Sequence, residues 1–331
     1  MDDDPTRVPP NPIRITRADH PVAAIMEEDA ARRAVTYPNL RCGGPLFGHA
    51  EDLGDGRWHV HSLHDDTPQA ARDGLAHRFR VRLAETTDPA AVAELTAVGR
   101  VLDWEKVDEL TVLSRRYRII RADTFARFGP DGPEPPRASD PDPLPAGGKH
   151  PDPWFADGVV VDPRAATGAA HALLKIELLP AHYPAAAVPA EVYDDSRRAV
   201  HSHPDGVILP TEYAVAEYVD GRWQPDTRAV ATPQAARDLI TFNFRYLIPR
   251  IGAPTEDEAA AYARAADEFD AARADETTVL GRRFRVTRIE ILLRFGPDGP
   301  EGPRPSDHDP EPPPEAHFAQ LRAEGLMPEP D

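Results

Sequence analysis

Arg127-Phe128-Gly129-Pro130-Asp131-Gly132-Pro133-Glu134 returns residue for residue at Arg294 to Glu301, an offset of 294 − 127 = 167. Working upstream, Thr67-Pro68-Gln69-Ala70-Ala71-Arg72-Asp73 returns at Thr232 to Asp238, an offset of 232 − 67 = 165. Asp55-Gly56-Arg57-Trp58 returns at Asp220 to Trp223 with the same offset. Self-similarity at a fixed spacing is the mark of one supersecondary unit written twice. The reading is therefore an α+β fold of two homologous β-α-β-β-α-α-β-β modules related by a pseudo-two-fold axis. The modules are expected at residues 11–145 and 171–312, joined by a Pro/Gly-rich linker at 146–170 and followed by a tail at 313–331. The drift from 165 to 167 must fall between Phe79 and Arg115, at the joint between two helices.

Local signals fill in each module. Ile13 to Thr16 alternates like a short strand, and a helix is expected from about His20 to Val35. Pro45 to Asp52 and Arg57 to Ser62 read as a hairpin around Gly54-Asp55-Gly56. Thr67-Pro68 is a helix start, a threonine cap before a proline that has no N–H to leave unpaired. Ala71, Leu75, Phe79 and Leu83 then make an apolar stripe, matched by Ala236, Ile240, Phe244 and Ile248. A further helix should run from Asp88-Pro89 to about Lys106. Its counterpart opens with the capping box Thr255 and Glu258. Each module should close with a hairpin. Glu109 to Leu113 turns at Ser114-Arg115 into Tyr117 to Phe128, and Glu276 to Leu280 turns at Gly281-Arg282 into Phe284 to Phe295. The Gly-Pro-Asp-Gly-Pro segments should end these long strands, since proline cannot donate to a ladder. Trp154 and Phe155 suggest that the linker is docked.

Composition narrows the function classes. The net charge of −18 opposes encounter with nucleic acid or anionic membranes. Cys42 is the only cysteine, which excludes an intrachain disulfide and a thiolate zinc site. No apolar run is long enough for a membrane span, and the N-terminus lacks a signal peptide, so a cytoplasmic protein is expected. Only Lys106, Lys149 and Lys175 are lysines among 38 basic residues, the usage of a GC-rich coding bias.

With the two RFGPDGPE copies, the TPQAARD helices and the paired hairpins at Thr111 to Arg118 and Thr278 to Arg285, the chain resembles an uncharacterised actinobacterial family. That family is abundant in streptomycetes and filed as a domain of unknown function. The resemblance covers nearly the whole chain. It implies a cytosolic setting and carries over no catalytic residue.

The candidate residues come from the repeats. Arg116 and Arg118 alternate with Tyr117 and Ile119, and Arg283 and Arg285 with Phe284 and Val286. A strand puts such arginines on one face and the apolar residues on the other. That arginine face should be exposed, or meet the other module. Such ladders pair with the chain's own carboxylates or bind a small anionic ligand or an acidic partner. Asp131 and Glu134, with Asp298 and Glu301, belong to loops that either turn the chain or face a ligand. Asp108-Glu109 and Asp275-Glu276 are the acid pairs kept in both copies. Trp58 and Trp223 read as core aromatics, and Trp104 as a helix-packing residue.

His59 and His61 share a strand face, near His64, Asp65 and Asp66. Gln224 and Asp226 stand at the matching positions, His201 and His203 are not counterparts, and His308 has no histidine partner either. No metal or cofactor is expected, and no nucleophile elbow, phosphate loop or zincin signature is present. The reading is a non-enzymatic binding or interaction protein. Its alternatives are an enzyme or small-ligand binder with a site between the modules, and an acidic mimic of nucleic acid. A deep polar pocket with acids or histidines from both modules would favour the enzyme, and a flat apolar patch would favour interaction.

Overall fold

The computed structural model describes residues 10–17, 20–148 and 158–327. The fold is α+β, and every pairing between its strands is antiparallel. In the first half, α1 (Pro21–Thr36) leads into the hairpin β1 (Asn39–Asp52) and β2 (Trp58–Asp65). Helices α2 (Pro68–Glu85) and α3 (Pro89–Trp104) follow, then β3 (Glu109–Val112), β4 (Arg115–Gly129) and β5 (Gly132–Pro133). Strand β6 (Val159–Val161) and helix α4 (Ala169–Leu178) precede the second half proper. There α5 (Ala190–Ser202), β7 (Asp205–Ile208), β8 (Glu212–Val219) and β9 (Arg222–Pro225) lead to α6 (Pro233–Phe242). A π-helical turn, Asn243–Leu247, joins α6 to α7 (Ile248–Ile251). The chain continues through α8 (Glu256–Ala272), β10 (Glu276–Val279), β11 (Arg282–Gly296), β12 (Gly299–Pro300) and α9 (Pro314–Ala323).

The long strands β4 and β11 lie side by side at the centre of one sheet, in the order β6-β2-β1-β4-β11-β8-β9. At the seam Thr124 pairs with Ile291, and 291 − 124 = 167 is the spacing of the repeated octapeptide. Period-two alternation divides these strands between two faces. Tyr117 and Ile119 pack with Ala71, Leu75 and Phe79 of α2 and with Leu95 and Leu102 of α3. Phe284 and Val286 pack with Ala236, Ile240 and Phe244, and with Tyr262, Ala266 and Phe269 of α8. Leu83 and Ile248 extend the two stripes, partly buried. The caps form as expected: Thr67, Asp88 and Thr232 accept from backbone N–H groups, and Thr255 with Glu258 makes the capping box.

Several expectations are corrected. Ile13 to Thr16 forms no strand; only Ile15 bridges to Thr167, because no neighbouring strand offers it a ladder. The module therefore does not open on a strand. The hairpin turns lie at Leu113-Ser114 and Leu280-Gly281, which carry positive φ, so the long strands start at Arg115 and Arg282. The Gly-Pro-Asp-Gly-Pro segments do end the long strands, at Gly129 and Gly296. Beyond the turn, Gly132-Pro133 and Gly299-Pro300 fold back on their own strands, and the Glu134 and Glu301 N–H groups donate to the carbonyls of Arg127 and Arg294. Trp104 is 52% exposed rather than packed. Trp154 and Phe155 lie outside the described residues. The spacing drift falls between the caps Thr67/Thr232 and Asp88/Thr255, where the second half has its π turn, a wide turn that takes up an extra residue. Among the described residues no helix is long and apolar enough to cross a membrane.

Candidate functional site

The repeated candidates meet at two reciprocal junctions. Arg116 and Arg118 stand 5.6 and 5.5 Å from the Trp58 ring, and Glu109 accepts from both guanidinium groups at 2.6–2.9 Å. The loop of the second half closes this stack. Asp298 accepts from Arg116 at 2.7 Å and from Arg118 at 2.5 Å, and the Pro300 carbonyl accepts from Arg118 at 3.0 Å. At the other junction Arg283 and Arg285 stand 5.0 and 4.9 Å from Trp223, and Glu276 accepts from both. The carbonyls of Asp131 and Pro133 accept from Arg285 at 3.0 and 3.1 Å. Gly132 and Gly299 have φ of +118° and +122° and abut Trp223 and Trp58 so closely that a Cβ would overlap the indole. Arg118 and Arg285 keep only 11% and 9% of their side chains exposed, so of the two alternatives, solvent or the other half, the arginine face takes the second. Hydrogen bonds from Arg116 and Arg118 hold the Asp298 carboxyl down at about 2.

The segments after the loops cross the seam as well. Asp309 accepts from the Gln69 N–H at 3.0 Å and from Arg72 at 2.8 Å, and Asp108 grips Arg72 from its own half at 2.8 Å. In the other direction Asp142 accepts from the Gln234 N–H at 3.0 Å and from Arg237 at 2.6 Å, and Asp275 holds Arg237 at 2.6 Å. Glu134 and Glu301 are buried, bonded to Arg137 at 2.7 Å and Arg304 at 2.6 Å. Glu109, Glu276, Asp298, Glu134 and Glu301, with the four ladder arginines, are engaged within the chain. Each half completes the start of the other half's α2 or α6.

What the halves do not share is more informative. Positions are matched by strand partner: Phe47 pairs with Arg121 as Tyr213 pairs with Arg288, and Glu51 takes Arg115 as Glu217 takes Arg282. Between β1, β2 and α2 of the first half lies a groove of about 600 Å³, lined by His49, His61, His64, His77, Arg78 and Arg82. The matching residues of the second half are Val215, Asp226, Ala229, Phe242, Asn243 and Leu247. Gly74 leaves room in the groove where Leu239 packs against the second core.

The chemistry of the groove follows from burial. His49 Nδ1 lies 3.1 Å from the Ser62 hydroxyl, and His61 Nε2 lies 3.2 Å from Glu51. Burial, with His61 and Arg78 nearby, drives His49 down to about 3. Burial, with Arg78 and His59, takes His61 to about 4. Burial raises Asp65 toward its neutral form. The fixed positive charges are Arg78 and Arg82. Arg82 donates to the Tyr117 hydroxyl at 3.3 Å, and neither arginine makes an ion pair among the described residues. His59 and His61 do share a face, their rings 4.1 Å apart. Among the described residues no group of three or more His, Cys, Asp or Glu is placed to hold a metal. The histidine cluster was visible in the sequence as His59, His61 and His64. His49, His77 and the two arginines were not, because strand pairing and α2 bring them in from other segments.

A second cavity, about 260 Å³, lies at the seam beneath α1 and α4, where Arg127, Arg137, Asp140 and His171 meet Arg288 and Glu290. Its arginines are ion-paired: Arg127 to Glu177, Arg137 to Glu134, and Arg288 to Asp140 and Glu290.

The molecule is thus an antiparallel α+β scaffold, clasped across its middle, with a groove of histidines and arginines on one half. The chain belongs to DUF5954, a family of unknown function, whose match spans residues 20–310. No curated protein and no solved structure matches it.

Proposed function

We propose that the chain is a non-enzymatic binding protein that holds a small anionic ligand in the histidine and arginine groove of its first half. The observation that carries this reading is Arg78 and Arg82 without carboxylate ion pairs, beside the His49 and His61 imidazoles that burial keeps neutral. Arginine's planar fork suits carboxylates and phosphates. A histidine with a pKa near 3 is a poor general base at neutral pH, which speaks against catalysis by the Ser62 and His49 pair. The mimic of nucleic acid is disfavoured because Glu109, Glu276, Asp298, Asp142 and Asp309 are all bound by arginines. Calorimetric titration with inorganic phosphate, citrate and adenosine monophosphate tests the reading. At least one should bind at a single site, and Arg78→Gln with Arg82→Gln should weaken it at least tenfold. No saturable binding, or binding indifferent to both changes, overturns it.

The second reading is an enzyme or ligand site at the seam, favoured by the convergence of Asp140, Glu290 and His171 from both sides. Duplication belongs to this proposal too, with modules near 11–145 and 171–312 about a pseudo-two-fold axis through Thr124 and Ile291. The reciprocal junctions and the shared spacing of 167 support it. An actinobacterial, cytoplasmic setting belongs to the proposal as well, and the scarcity of lysine against arginine supports its GC-rich source.

A further inference from the structure

The face of the sheet away from α2 and α6 has two sides across the seam, and they are built differently. On one side Ile120, Leu209, Ile291, Leu293 and Phe295 pack around Trp58, with Val159 and Val161 of β6 against them, as buried core. Matched by strand partner, the other side carries Thr287, Gly43, Thr124, Ala126 and Phe128 around Trp223. Four branched aliphatic side chains are replaced by two threonines, a glycine and an alanine. In the space they vacate lies a cavity of about 460 Å³, walled by Phe125, Phe128, Trp223 and Ile289 from both halves. That volume falls in the ordinary range of small-molecule sites, roughly 300–1,000 Å³.

Two further observations point to an occupant. Thr287, only 4% exposed, lines this cavity, and its hydroxyl has no hydrogen-bond partner. Buried hydroxyls are nearly always bonded, so an orphan in a cavity wall is an unused recognition group. Thr124, by contrast, is satisfied, donating to the Gly44 carbonyl at 2.7 Å. The aromatic walls are also held in place. Arg41 sits 4.1 Å from the Phe128 ring, and Trp223 is pinned by Arg283 and Arg285.

We propose that this cavity binds a planar aromatic small molecule of about two fused rings bearing a hydroxyl or carbonyl group. The rings lie against Phe128 and Trp223, and the polar group bonds Thr287. The site is separate from the histidine groove and does not depend on its ligand.

The test is calorimetric titration of the full chain with 2-naphthol and with naphthalene. 2-Naphthol should bind at one site, and more tightly than naphthalene. Gly44→Leu, which adds a side chain where nothing lies within 4 Å of the Cβ position, and Ala126→Leu, which restores the residue of the filled side, should each weaken 2-naphthol at least tenfold. Thr287→Val should weaken 2-naphthol several-fold and leave naphthalene unchanged. Arg78→Gln should change neither. Failure of the unaltered protein to bind 2-naphthol saturably overturns the proposal without recourse to any variant. So does binding that survives both leucine substitutions in folded protein, or that is lost with Arg78→Gln.

Discussion

The groove of the first half and its counterpart in the second rest on the same strand pairings and hold opposite chemistry. One is lined by imidazoles and arginines over Gly74. The other is closed by Val215, Val230 and Leu239 against the second core, with Phe242, Tyr246 and Leu247 exposed along its helical edge. The junctions, in contrast, are alike on both sides: an arginine pair on tryptophan, a glutamate beneath it, and the other half's loop above. Residues kept in both halves hold the molecule together, and those that differ leave space. Retention within the repeat therefore marks the clasps, and divergence marks the open space.

The largest expected effect would break the likeness of the junctions. Arg118→Gln with Arg285→Gln strips both clasps of nearly buried charges and leaves Glu109 and Glu276 short of partners. Glu109 and Glu276 are 44% and 33% exposed, so the loss comes from the hydrogen bonds that the two arginines donate to carboxylates and loop carbonyls, each about 0.5–1.5 kcal/mol net, and the double variant should lose at least about 3 kcal/mol in urea unfolding. Both halves should still unfold in one transition. Two separated transitions would show that the clasp does not couple them.

The next effect sharpens the difference between the grooves. His49 and His61 are depressed from 6.5 to about 3 and 4, so their stabilisation is present above pH 6.5 and is lost as pH falls toward those values. In that window the unfolded chain binds the extra protons, at a loss of about 1.4 kcal/mol per histidine for each pH unit. The thermal midpoint should fall between pH 6.5 and 4.5, and His49→Val, the residue of the second half, should flatten that slope. An unchanged slope would mean that His49 is not buried as described.

The smallest effect concerns Gly74. Its Cβ position lies 3.7 Å from His49, ordinary contact distance, and its φ is not positive. Gly74→Ala should therefore stabilise α2 by about 0.5–1 kcal/mol, measured by thermal denaturation. A loss of stability instead would show that His49 needs the open space.

The helices and long strands were legible because their signals are local. Thr67-Pro68, the four-residue stripes and the alternation of Arg116 to Ile119 each state an element within a few positions. The opening strand failed because Ile13 to Thr16 has the right pattern and no neighbour, which no local pattern reveals. The arginine face was read correctly, but its burial depended on Asp298 and Pro300, which lie 182 positions from Arg116 and Arg118 respectively. Part of the candidate groove was legible through His61 and His64. The seam cavity was not, since it is made of side chains that are missing relative to a partner region.

The crossing of the two tails sets a timetable for synthesis. Arg72 and Asp309 are 237 positions apart. At about 5–20 residues per second, a ribosome needs roughly 12–50 s after Arg72 to make Asp309. Through that interval the start of α2 waits without its capping carboxylate, and Arg118 waits 182 positions for its lid at Pro300. Asp142, made first, is on hand when Arg237 appears. The second half can thus close as it emerges, while the first closes last, held open by the position of one aspartate until residue 309 has been made.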